Sequence, residues 1–132
     1  MDGPIVLYDG DCGFCEVMLA LVLKWDRPRR LAPVPIQSAR GERLLSDMPS
    51  EDRLKSWHLI DGDRAIHSGA AAIPLIFAGL PWGAPVAHLA SRYPRGTLRA
   101  YGWVAGHRAL LGRSLRSQPR AWAARVIAER ER

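Results

Sequence analysis

A chain of 132 residues, 48% hydrophobic and 24% charged, has the composition expected of one ordinary globular domain with a single core, and needs no disulfide or metal to complete it. Its formal net charge is +6, carried almost wholly by arginine, since Lys24 and Lys55 are the only lysines. From Arg92 onward, ten arginines face only Glu129 and Glu131; with no nucleic-acid motif beside them they read as a solvated surface, and nucleic acid is not an expected partner. The N-terminus lacks a signal-peptide pattern, and no run of about 18 apolar residues is present, so a cytoplasmic protein without a membrane span is expected.

Ile5 to Tyr8 is a β-prone apolar run between Pro4 and Asp9-Gly10-Asp11, which predicts a strand buried on both faces. A helix should begin near Cys12, capped by Asp11, and run to about Asp26, where Pro28 ends it. Phe14, Met18, Leu21, Val22 and Trp25 form its expected apolar stripe. Leu31 to Ile36 is a second strand, pushed to a sheet edge by Pro33 and Pro35. Ala39 to Asp47 is a short helix, stopped by Pro49. Lys55 to Ile60 and Arg64 to Ser68 are strands joined by the Asp61-Gly62-Asp63 turn. Ala70 to Leu80 is helical if Pro74 lies in its first turn. The pattern is β-α-β-α-β-β-α, an α/β fold with one four-stranded mixed sheet.

Beyond it, Pro85 to Ser91 and Thr97 to Leu111 are predicted helices, the second capped by Thr97, and Ala121 to Glu129 is a frayed last one. These additional C-terminal helices should pack onto the sheet. The expectation is one domain over 1–132, with a core in 1–82 and a helical extension in 83–132.

The chemistry sits at Cys12 and Cys15. Two cysteines separated by two residues can close a small disulfide ring. At a helix start, unpaired N–H groups and the helix dipole favour a thiolate on the first sulfur. Cys12 is therefore the expected nucleophile toward a substrate disulfide, and Cys15 the thiol that resolves the mixed disulfide. Asp9, at the strand end, is a candidate acceptor for the Cys15 proton. Asp11, Gly13 and Phe14 are candidate substrate-docking residues. The expected partner is a disulfide-containing protein or a small thiol such as glutathione. No metal or other cofactor is expected, a membrane-protein partner stays open, and the oligomeric state is not assigned. The five tryptophans are expected to fill the core and helix contacts, with Trp82 in a docking groove as the variant.

Two other readings stand beside this one. Cys12 and Cys15 could join His58 and His67 around zinc, or hold an iron–sulfur cluster between two chains, as a metal-binding or interaction module. Asp9-Gly10-Asp11 after an apolar strand also resembles the nucleophile motif of haloacid-dehalogenase phosphotransferases, with Asp9 attacking phosphorus, although Cys12-Gly13 replaces the usual Gly-Thr.

Asp9-Gly10-Asp11-Cys12-Gly13-Phe14-Cys15 resembles the Asp-x-x-Cys-x-x-Cys signature of the DCC family of predicted thiol-disulfide oxidoreductases. The preceding apolar strand, the later hairpin, Ser68-Gly69-Ala70-Ala71-Ala72 and the Tyr101 to Arg108 segment fit the same family. The resemblance implies a thioredoxin-like fold and dithiol chemistry with Asp9, Cys12 and Cys15 as the motif positions. Unlike thioredoxins, the chain has Arg53-Leu54-Lys55-Ser56, not a proline, before the third strand.

Overall fold

The computed structural model describes residues 4–27, 29–113 and 117–131. Pro28, expected to end the first helix, lies outside them. Strands β1 (Ile5–Tyr8), β2 (Ala32–Pro35), β3 (His58–Ile60) and β4 (Ile66–Ser68) form one sheet in the order β2-β1-β3-β4. β2 runs parallel to β1, and β3 and β4 are antiparallel to their neighbours. This is the mixed α/β architecture of a thioredoxin-like fold.

β1 is apolar throughout because both of its faces are covered. Val6 and Tyr8 join a core with Leu19, Leu23, Ile76 and Ile127, whereas Ile5 and Leu7 pack on the opposite face with Val34, Ile36 and Leu45. Side chains alternate along a strand, so four consecutive apolar residues feed two separate cores. Each large side chain buried there contributes roughly 1.5–3 kcal/mol. In β2, the flanking amides of Ala32 and Ile36 donate to Pro4 and Tyr8 of the neighbouring segment. Pro33 and Pro35 need no such partner at an edge.

Helix α1 (Gly13–Trp25) begins one residue later than a cap at Asp11 would require. Its cap is Cys12, whose sulfur accepts the Cys15 amide. The buried face is Leu19, Ala20, Val22 and Leu23; Met18 and Leu21, expected in the apolar stripe, are largely exposed. α2 (Ala39–Leu44) is shorter than predicted and is capped by Ser38. A further short helix, α3 (Ser50–Arg53), carries no apolar stripe and escaped the periodicity reading.

The third and fourth strands start later than their composition suggests. The Trp57 amide donates to the Tyr101 hydroxyl, so it is spent outside the sheet. Arg64 takes φ +64° and its amide closes the turn on Asp61, so extended backbone starts after it. A 3-10 turn (Gly69–Ala72) then leads into α4 (Ile73–Ala78), with Pro74 in its first turn.

α5 (Ala84–Arg92), α6 (Pro94–Arg113) and α7 (Ser117–Glu131) complete the chain. α6 starts at Pro94, so Thr97 lies inside it and its hydroxyl donates back to Tyr93 and Ala90 instead of capping. α7 is not a frayed end. Ala123, Val126 and Ile127 are buried against the core, and α7 lies chiefly along α1 rather than on the sheet. Trp25, Trp57 and Trp122 pack on the core as expected, but Trp82 and Trp103 are exposed. No described helix is long and apolar enough to cross a membrane.

Candidate active site

The turn between β1 and α1 is held from three sides. The Asp9 carboxylate accepts the Asp11 amide at 2.9 Å and the Gln37 side-chain amide at 2.7 Å through one oxygen. The other end of the Gln37 amide accepts the Gly10 N–H at 2.9 Å. The Cys12 amide donates to the Asp9 carbonyl. These bonds fix the chain so that Cys12 takes extended φ/ψ and stands as the helix cap.

Both cysteines are free thiols and half-buried. Cys12 Sγ accepts the Cys15 N–H at 3.3 Å, a normal length for sulfur, at the positive end of a 13-residue helix. Cys15 lies one turn in. Burial pushes its thiol up to about 12; its hydrogen bond to Cys12 and the charge there push the same way, while Arg108 pulls against them. The two sulfurs therefore sit in different settings: the first caps the helix and accepts an amide, and the second is held protonated by burial.

Arg108 was not singled out from the sequence. It arrives on α6, with Nη1 3.7 Å from Cys15 Sγ, Nη2 3.5 Å from the second Asp9 oxygen and 2.6 Å from the Leu54 carbonyl. Its signal was present in the arginine excess and in the Tyr101 to Arg108 segment, but charge counting gave it to solvent. Gln37, the brace of the Asp9 turn, gave no signal at all.

α6 is seated by Tyr101, seven residues before Arg108 and so on the same helix face. The Tyr101 ring stacks on Trp57 at 6.1 Å, and its hydroxyl accepts the Trp57 amide at 3.1 Å. Gly69, beside the Tyr101 ring, takes φ +60°, a backbone conformation that favours glycine.

The remaining candidates separate. Phe14 and Cys15 line an apolar cleft of about 610 Å³ between α1, α4, α5 and α6, with Asp9 and Arg108 in its wall. Gly13 instead faces Arg120, whose Nε would lie 2.6 Å from a Cβ at that position. Asp11 is exposed and only 3.5 Å from the Gln37 amide. Burial raises the nearby Glu16 carboxyl above its ordinary range, against the pull of Arg120.

His58 and His67 do not join the cysteines. The two ring nitrogens of His58 are taken by the Ser68 hydroxyl and the Arg53 carbonyl, and His67 pairs with Asp61 at 2.8 Å. Among the described residues, no three His, Cys, Asp or Glu side chains are grouped to hold a metal ion.

The family model for DCC1-like thiol-disulfide oxidoreductases matches residues 6–114, most of the chain. The chain belongs to this family. Its match takes in the dithiol turn, the sheet apart from Ile5, and α6 with Arg108, and stops before α7. No curated protein and no solved structure matches the chain. Membership in the DCC1-like family supports redox thiol-disulfide function and leaves the substrate unnamed.

Proposed function

We propose that the protein is a thiol-disulfide oxidoreductase in which Cys12 attacks a substrate disulfide and Cys15 resolves the mixed disulfide. The observation that carries this reading is the Cys15 N–H directed at Cys12 Sγ at the helix start, with burial holding the second thiol protonated. In the first step, Cys12 thiolate forms a bond to one substrate sulfur and the other departs as thiolate. In the second, Cys15 gives up its proton and attacks Cys12 Sγ. The ring disulfide forms, the remaining substrate sulfur leaves as thiolate, and the protons return through solvent. Two electrons pass from protein to substrate.

Asp9 belongs to this site as the residue that holds the turn, and Phe14 as apolar surface beside the resolving thiol. Both Asp9 oxygens already face donors, which favours a positioning role over acceptance of the Cys15 proton. Asp9→Asn should leave the pH profile of exchange between roughly pH 6 and 9 unshifted in midpoint while lowering its amplitude. A lost or displaced limb would restore the proton-acceptor role. A disulfide-containing protein or a small thiol such as glutathione in a cytoplasmic setting is the proposed partner.

The test uses oxidised glutathione. Cys15→Ser should accumulate one glutathione on Cys12, seen as a mass increase that reductant removes. Cys12→Ser should accumulate none. Equal adducts on both variants, or none on Cys15→Ser while Cys12 remains open to alkylation, would overturn the assignment.

A further inference from the structure

We propose that Arg108 is a catalytic residue of the resolving step, stabilising the thiolate of Cys15 as it attacks the mixed disulfide. This rests on the exchange reading above and goes beyond it, because the dithiol signature itself contains no cation.

The guanidinium is held in place before any substrate arrives. One nitrogen is 3.7 Å from Cys15 Sγ, within reach of a hydrogen bond to sulfur. The other is shared by the Leu54 carbonyl at 2.6 Å and the Asp9 carboxylate at 3.5 Å. A planar fork with several fixed donors suits this bridging; an ammonium on a flexible stem does not. Tyr101 seats the helix that delivers it.

The groups facing Cys15 decide when this contact matters. In the reduced dithiol, burial and Cys12 both oppose a Cys15 thiolate, and Arg108 favours it. Tyr101, from α6, is close enough to sense the Cys15 charge, but burial also keeps its phenol protonated. Asp9, in the same cleft wall, pairs with the guanidinium at 3.5 Å. Once Cys12 is joined to substrate, its sulfur carries no charge and accepts no proton from Cys15. Burial is then opposed by Arg108, and the cation determines how readily the resolving thiolate forms. In that step, the Cys15 S–H bond breaks, the proton leaves to solvent, the Cys12–Cys15 bond forms and the substrate sulfur departs with the electron pair.

An aromatic disulfide that releases a coloured thiolate separates the two steps. 5,5′-Dithiobis(2-nitrobenzoate) should give one nitrothiobenzoate when Cys12 attacks and a second when Cys15 closes the ring. Arg108→Gln should slow the second release about tenfold or more at pH 7 and move its pH midpoint upward, consistent with loss of an opposite charge beside a thiol. The first release should slow much less, because the guanidinium contacts Cys15 and acts on Cys12 only through charge at longer range. Arg108→Lys should fall between, since the charge remains without the fork. A second release unchanged in Arg108→Gln of native thermal stability would overturn the proposal, as would equal slowing of both releases. Should the glutamine variant not fold, a wild-type second-release profile in Arg108→Lys overturns it, and a slowed, upshifted one supports it. A wild-type protein that releases only one equivalent fails the exchange reading itself, which is a different result.

Discussion

The two ends of α1 each meet an arginine from the C-terminal helices, and they treat it differently. At the C-terminal end, Arg130 donates to Asp26 Oδ2 at 2.7 Å, to the Leu31 carbonyl at 3.1 Å, and to the Leu23 and Asp26 carbonyls at 2.7 and 3.1 Å. It caps the Leu23 carbonyl in the last turn of the helix and ties the following segment to it, and both side chains of the ion pair are nearly sealed, at 11% and 1% exposure. At the N-terminal end, Arg108 reaches sulfur and carboxylate only at 3.7 and 3.5 Å, and its side chain is 26% exposed. The closed end fastens α7 to the core. The open end anchors the guanidinium on the Leu54 carbonyl at 2.6 Å and leaves its contacts to sulfur and carboxylate longer. One residue type, supplied by the same charged tail, makes short buried bonds at one pole and lies beside a thiol at the other.

The sharpest way to break this contrast is Arg130→Ala. It leaves Asp26 buried without its cation, and one Asp26 oxygen already has no hydrogen-bond partner. A loss of about 3–5 kcal/mol is expected in urea unfolding. Under native conditions the Cys12 exchange rate should change by less than about twofold, since the pair lies at the far end of a 13-residue helix. A loss below about 1 kcal/mol would mean that the closed end is no clamp.

A smaller effect concerns the turn that presents the Leu54 carbonyl to Arg108. The adjacent Arg53 carbonyl faces His58 Nε2 at 2.8 Å, and burial lowers the proton affinity of His58 below its ordinary pKa of 6.5. The unfolded chain therefore binds the proton more readily than the folded one. Stability should be full above about pH 6.5 and fall as pH drops through that value toward the lower folded pKa. His58→Gln should flatten the fall measured by unfolding at stepped pH. A fall of equal size in that variant would assign the effect to other groups.

The smallest effect separates capping from chemistry. Serine is a strong helix cap, so Cys12→Ser should change stability by less than about 1 kcal/mol. Thermal unfolding checks this in the same variant whose exchange is lost. A larger loss would show that the sulfur packs as well as caps.

Local order was legible in the sequence. The doubly buried β1 run, the dithiol opening a helix, the edge strand marked by Pro33 and Pro35, and the tight turn at Asp61 all follow from side-chain size, backbone freedom and spacing within a few residues. Even the difference at the cap is local: Asp11 is a good cap by type, but the Asp9 carboxylate two residues back takes its amide, and Cys12 caps instead. Tertiary structure alone decided where the arginines go. Charge has no period that marks one guanidinium for solvent and another for the Cys15 thiol 93 residues away in sequence. Their destinations depend on how α6 and α7 lie against α1, which is set by packing around Tyr101 and Ala123 rather than by any property of the arginines themselves.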